Sequence, residues 1–497
     1  MYRKEYTETI FRTGSHTSRK SSVKQHEMAA LREMEQMILA AEAVPAGAEA
    51  LERATAHLEQ FLQQVRQKRI LDEKQRAMEA FRQQFENGYT WRNGFLRNVA
   101  RFGDREALIE PESGTVWTYT QLNAEANRLS HALLRAGLQK GDVVMVQLHN
   151  CPEFVFAYLA CHKTGMVFCP VNFRLSAKEI TDCMDNSRPK VFLLEPETQA
   201  EVDMALRRTA HAPQILLTTD ARAAHAYADF TADCPATEPE LPWELSVYDE
   251  TLRLFTSGTT GRQKSVCLTS INEVLSAHDV MIHFPFSFTD RSMNTTPWFH
   301  RGGLHSGGIT PTLYAGGTVI IQRKFQPEKT LDMVQQYGLT FLIGVPNVLE
   351  LLAEAQQKQP RDLSSLRGIV TMGSPLERAD CIRYQKILTK RIFNGYGTTE
   401  TFWNTFLRPD DLPEMAGSAG RSCVDDDVRV IKVYEDRVAE PDDLAATDGS
   451  EVGEVIIRSN AKSAAFYFGN PAETRRRFHD GFFYTNDLGT CCLLYTS

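Results

Sequence analysis

The decapeptide TSGTTGRQKS, Thr256–Ser265, gathers hydroxyls, glycines and one lysine as phosphate-holding loops do. Gly258 and Gly261 let the backbone turn tightly and aim N–H groups inward, while Thr256, Ser257, Thr259 and Thr260 add hydroxyls. Lys264 supplies a mobile cation. The combination makes a polyphosphate cradle; the plainer alternative is a Gly/Thr-rich surface turn. A Walker A loop would start at Gly258 and place its lysine at Lys264, but it requires glycine where this chain has Gln263. A side chain there obstructs the wrap of backbone around the β-phosphate, and no convincing Walker B partner follows. Either this is a damaged P-loop or the loop belongs to another chemistry.

The elements that must position it are legible in the pattern of the chain. Before the loop, LRLF (Leu252–Phe255) reads as a strand; after it, Asn272–Ile282 reads as a helix. From about Thr90 onward, amphipathic helices such as TYTQLNAEANRLSHALLRAG alternate with apolar strands such as DVVMVQLHN, MVFCPVN and KVFLLE. This βαβ rhythm predicts an α/β fold with helix-covered, mostly parallel sheets. From Gly420 the segments become short and hairpin-like (DVRVIKVYED, EVGEVIIRS, GFFYTND), which predicts a small antiparallel subdomain. Residues 1–88 differ: Glu, Gln, Arg, Ala and Leu dominate. Leu51, Leu58, Phe61, Leu62 and Val65, then Met78, Phe81 and Phe85, follow 3–4 spacing. Two helices broken at AVPAGAEA and closed by the turn ENGYTWRNG are expected there, as an extension packed on the body or as a dimerising coiled coil.

Composition bounds the function. The 497 residues carry 55 Lys plus Arg against 63 Asp plus Glu, a formal net charge of -8, which argues against a nucleic-acid-binding surface spread over the protein. No apolar run approaches the ~20 residues of a membrane span. The ten cysteines form no C-x-x-C pair and have no histidines at zinc spacing, so they read as reduced thiols packed as small hydrophobes. The N-terminus lacks an apolar signal segment, and Glu5 and Glu8 weaken a transit-peptide reading, which makes the cytoplasm the expected location.

TSGTTGRQKS resembles the signature loop TSGTTGxPKG of the adenylate-forming superfamily, which includes acyl-CoA synthetases and peptide-synthetase adenylation domains. Gln263 replaces the usual proline and Ser265 the usual glycine; neither change removes a phosphate ligand. Four further segments resemble that family's motifs in order: TPWFHRGGLHSGG (Thr296–Gly308), TMGSPLE (Thr371–Glu377), NGYGTTE (Asn394–Glu400) and FYTNDLG (Phe483–Gly489). The resemblance covers Thr90 to about Gly489. It implies a large adenylation domain (89–490) of two helix-covered sheets plus a small β-barrel-like subdomain. By the same resemblance Tyr396, between Gly395 and Gly397, lies against adenine. Thr399, beside Thr398, bonds the α-phosphate, and Glu400 holds Mg²⁺. The backbone of Gly373, Ser374 and Pro375 lines the adenine and acyl pocket, His300 sits between the acyl-adenylate and the thiol, and Asp487 binds the ribose hydroxyls. Asn486 stands where the family has glycine, a tolerable change because asparagine accepts positive φ.

The implied reaction activates a carboxylic acid with Mg·ATP to an acyl-adenylate, then transfers the acyl group to coenzyme A. A carrier-protein thiol is the alternative acceptor. A non-catalytic interaction protein with a residual nucleotide site is a further one, against which intact Lys264, Thr399, Glu400 and Asp487 speak. The last seven residues, CCLLYTS (491–497), read as a non-native or truncated tail, with the family's C-terminal lid domain and its adenylation lysine absent. Weak ATP binding and poor turnover by residues 1–497 are expected on that reading. The aromatics Trp298, Phe299, Phe402 and Trp403 read either as walls of an acyl pocket or as core. A homodimer is possible.

Overall fold

The computed structural model describes Gln36, residues 47–257 and residues 263–492. The first of the two N-terminal helices, and Gly258, Thr259, Thr260 and Gly261 of the glycine loop, lie outside the described residues. The chain divides between Gln83 and Gln84 into two compact units.

The helix Gly47–Gly88 runs across that division. Among its described residues Phe61, Leu62 and Val65 are half-buried, whereas Ile70, Leu71, Met78 and Phe81 are exposed. Charged residues occupy all sides of the helix, and i,i+4 pairs such as Arg69–Glu73 (3.1 Å) each contribute a few tenths of a kcal/mol, about 0.3–0.5. The expected turn at ENGYTWRNG is only partly a turn. Thr90 accepts from the Asn93 N–H and caps a new helix, Trp91–Phe102, whose Trp91 and Phe95 are fully buried. Indole burial there outweighs the turn propensity of Asn and Gly.

In the second unit, a six-stranded sheet is ordered Ile215–Thr218, Val191–Leu194, Val143–Gln147, Val167–Pro170, Glu250–Ser257, Gln263–Thr269. Its first five strands are parallel, each fed by a helix, and the last pair is an antiparallel hairpin. Capping boxes start two of the connecting structures: Thr118 with Gln121, and Ser176 with Glu179. The nine-stranded sheet runs Arg421–Ser422, Phe402–Leu407, Ile392–Thr398, Gly368–Met372, Phe341–Gly344, Arg291–Asn294, Thr318–Ile320, Glu106–Glu110, Thr115–Thr118. Its interior is parallel and its edges antiparallel. The hairpin Glu106–Thr118, with polar residues on its outer strand, carries too short an alternation to be read from sequence. A four-stranded antiparallel sheet, Asp427–Ile431, Gly453–Arg458, Phe482–Gly489 and Phe478–His479, forms the small subdomain.

Trp298, Phe402 and Trp403 are core residues: Trp298 packs on Phe154 at 5.6 Å, and Trp403 on Phe284 at 5.5 Å. All ten cysteines are free, eight of them buried. Among the described residues, no helix is long and apolar enough to cross a membrane.

Candidate functional site

The glycine loop joins two antiparallel strands. Thr256 pairs with Lys264 and Ser257 with Gln263, so Lys264 stands on a second strand, and the next helix begins only at Ser270. A Walker A lysine opens a helix directly. This topology removes that alternative on grounds independent of Gln263.

Lys264 lies 5.5 Å from the ring centre of Tyr467, and the Tyr467 hydroxyl donates to Glu400 Oε1 at 2.5 Å. One buried tyrosine therefore separates the cation expected to take phosphate from the carboxylate expected to take metal. Glu400 is buried at the end of a tight turn that leaves the strand Ile392–Thr398 and returns as Phe402–Leu407. Thr398 Oγ1 receives the Thr401 N–H, Ala464 N–H donates to the Glu400 carbonyl at 2.7 Å, and Phe402 adopts φ +64° to close the turn. A non-glycine residue in the left-handed region costs about 1–3 kcal/mol and persists where surrounding contacts over-determine it. Burial first, and the Glu400 charge after it, push the Tyr467 hydroxyl well above its usual range.

The same turn explains Gly397. A Cβ there would lie 1.5 Å from the Phe402 carbonyl oxygen, so any side chain forces the two strands apart. Gly397→Ala should cost about 3 kcal/mol of stability, the upper end for overpacking, and displace Glu400. A thermal melt together with carboxylate-dependent ATP–pyrophosphate exchange measures both effects. Gly308 has a related role, because a Cβ there would lie 1.9 Å from the Gly303 carbonyl oxygen. The glycines around His300 permit backbone-to-backbone contact.

His300 precedes the short helix Arg301–His305, exposed and against Phe299 with ring centres 4.2 Å apart. Partial burial lowers its pKa from the usual imidazole value, which favours the neutral ring at pH 7. The next residue, Arg301, is buried. Its guanidinium donates to the Thr399 carbonyl at 2.7 Å, the Lys462 carbonyl at 2.7 Å and Ser276 Oγ at 3.2 Å. Arg301 thus ties the His300 segment to the Thr399–Glu400 turn.

The strands Gly368–Met372 and Ile392–Thr398 are adjacent and parallel, with Met372 opposite Gly395. Gly373 (φ +81°), Ser374 and Pro375 consequently leave the sheet beside Tyr396. The Tyr396 hydroxyl donates to Asp487 Oδ2 at 2.8 Å across 91 residues of chain. Asn486, at φ +59°, lies next to Asp487 where the pairing of the strand Phe482–Gly489 is irregular.

Sequence reasoning did not find Tyr467, Arg301, Lys462 or Glu473. The contacts that join them to the site span 36 to 209 residues, and no local spacing marks those contacts. Among the described residues one group has metal-ligand chemistry: Asp279, His283 and Cys423, with ligand atoms within 4.8 Å of one another. Arg408 Nη2 lies 2.5 Å from His283 Nδ1. A guanidinium only donates, so Nδ1 accepts and the ring proton sits on Nε2, 3.2 Å from Asp279 Oδ1. Lys462 bonds Asp279 at 2.9 Å and Asp426 at 2.7 Å. The group is an internal ion-pair network under the turn.

Two helix-covered sheets, a small antiparallel subdomain and a glycine-loop hairpin facing a Tyr-Gly-x-Thr-Glu turn are the architecture of an adenylate-forming enzyme. Residues 95–467 match the family of AMP-binding enzymes, and the chain belongs to that family. It is 30% identical over 396 residues to an indoleacetate–CoA ligase of Aromatoleum aromaticum (strain DSM 19018 / LMG 30748 / EbN1), covering 78% of this chain and 74% of that one. It is 32% identical over 395 residues to a feruloyl-CoA synthase of Amycolatopsis sp, again covering 78% and 74%. The crystal structure of the N-terminal domain of FACL13 from Mycobacterium tuberculosis superposes with a TM-score of 0.71 at 26% identity. That alignment covers 81% of this chain and 97% of that one.

Proposed function

We propose that this chain activates a carboxylic acid with ATP and passes the acyl group to the thiol of coenzyme A. The observation that carries the reading is the pair of contacts Lys264–Tyr467 and Tyr467–Glu400, which sets a cation over the face of one ring and a buried carboxylate at its hydroxyl. The substrate carboxylate oxygen attacks the α-phosphorus, the bond to the β-phosphate oxygen breaks, and pyrophosphate leaves on the Lys264 side. The thiol sulfur then attacks the acyl carbon, loses its proton, and AMP departs with the bonding pair. Thr399 is assigned to the α-phosphate, Tyr396 and the 373–375 backbone to adenine, and Asp487 to the ribose. Neutral His300 stands where acyl group and thiol meet.

Glu400 suits Mg²⁺ by donor chemistry: a hard carboxylate oxygen, with substrate phosphates completing the shell, is the common arrangement for that ion. When bound, the metal neutralises phosphate charge. We assign residues 89–490 to the adenylation domain and 1–88 to a helical extension. Pyrophosphate release by the full chain over a panel of aryl and alkyl acids, indoleacetate and ferulate included, with and without coenzyme A, tests the reading. Acid-dependent release, with acyl-CoA formed only when coenzyme A is present, is expected. No release with any acid, under conditions where ATP is bound, overturns it.

A further inference from the structure

The phosphate-loop lysine already has an anion. Lys264 Nζ bonds Glu473 Oε1, and the two side chains are only 10% and 13% exposed. Glu473 lies in the helix Pro471–Arg477, 209 residues on, and its N–H is capped by Asn470 Oδ1 at 3.1 Å. It has a second cation as well. Arg476 grips it with two parallel bonds, Nη2 to Oε1 at 2.7 Å and Nε to Oε2 at 2.8 Å. Arg476 first, and Lys264 with it, hold the Glu473 carboxyl down at about 2 against the opposing pull of partial burial, so it is an anion throughout the working pH range.

This arrangement is asymmetric. Among the described residues Lys264 has one acidic partner, Glu473, whereas Glu473 has two basic ones. Should Lys264 turn to another anion, Glu473 stays paired with Arg476 and no buried charge is stranded. A carboxylate so held is a displaceable occupant.

We infer that Glu473 is an internal competitor for Lys264, which makes the site discriminate between polyphosphate and monophosphate ligands. The inference rests on the proposed role of Lys264 as a pyrophosphate ligand. A ligand bearing β- and γ-phosphates brings enough charge to the hairpin to take Lys264 from one carboxylate. AMP, lacking both, leaves the pair intact. Once adenylation has occurred, the return of Glu473 to Lys264 helps expel pyrophosphate and disfavours its re-addition to the acyl-adenylate.

The test measures dissociation constants of magnesium pyrophosphate and of AMP by titration calorimetry on the full chain. The variants are Glu473→Gln, Lys264→Met and the double substitution. Glu473→Gln should bind pyrophosphate about 3- to 10-fold more tightly, the scale of removing one semi-buried competing charge, with AMP unchanged. In the Lys264→Met background the same substitution should have no effect. If Glu473→Gln leaves pyrophosphate affinity unchanged or weaker while Lys264→Met lowers it, the competitor role is overturned. Equal tightening with and without Lys264 also overturns it, because the effect would then be general charge removal. If Lys264→Met leaves pyrophosphate affinity intact, the assignment of Lys264 itself falls, and the inference with it.

Discussion

Glu400→Gln should lower acid-dependent AMP formation by about 10²–10³, the range for removing one preorganised electrostatic partner of a transition state, while leaving the fold intact. Two features separate these outcomes. The Glu400 side chain is held by the Tyr467 hydroxyl, and a glutamine oxygen accepts that bond equally well. Its backbone is fixed independently, through the Ala464 N–H and through Arg301 on the preceding carbonyl. What the substitution removes is charge. Charge is what a displacement at phosphorus needs, since negative charge moves onto the leaving pyrophosphate. The Mg²⁺ concentration for half-maximal rate should therefore rise in the variant, and the melting temperature should stay within a few degrees of the parent. A variant that keeps full rate at the same Mg²⁺ would remove Glu400 from the metal's ligands.

The way this site was and was not legible in sequence follows from the range of its interactions. The parallel sheets could be read because each strand is an apolar run bounded by an amphipathic helix, so the information is local. Thr399, Glu400, Tyr396 and Asp487 are proposed from motif text, and the structure joins Tyr396 directly to Asp487. The strand Gln263–Thr269 escaped notice because its residues, QKSVCLT, mix polar and apolar types in a register set by pairing with Glu250–Ser257. Arg301 and Lys462 would pass on sequence grounds for surface cations, yet both are buried. Each is stable only because carbonyls and carboxylates from distant segments converge on it, a tertiary fact with no counterpart in spacing. Glu473 gives no local sign that Lys264 is its partner.

The largest stability effect should come from Glu273, a residue no motif marks. It is wholly buried on the helix Ser270–His283 and meets three side chains from two helices, Pro152–Thr164 and Arg301–His305. His305 Nε2 is 2.6 Å from Oε1, the Tyr158 hydroxyl donates to Oε2 at 2.7 Å, and His162 Nε2 lies 3.7 Å from Oε2. Burial alone would raise this carboxyl's pKa, but His305 and His162 outweigh it and hold the group well below its ordinary 4.5. Removing a buried charged group from its hydrogen-bonded partners costs about 3–5 kcal/mol, and Glu273→Gln should lose that much at pH 7 in urea denaturation. The pH dependence has a definite sign. A depressed folded pKa contributes stability that is fully present above the unfolded value and is lost as pH falls towards the folded one. The gap between parent and Glu273→Gln should thus shrink steadily as pH falls below about 4.5. Trp91, with its ring centre 4.8 Å from that of His162, gives a fluorescence reporter inside the cluster. A gap that stays constant down to pH 3 would mean that the carboxylate charge contributes nothing, and that Glu273 acts by shape and hydrogen bonding alone.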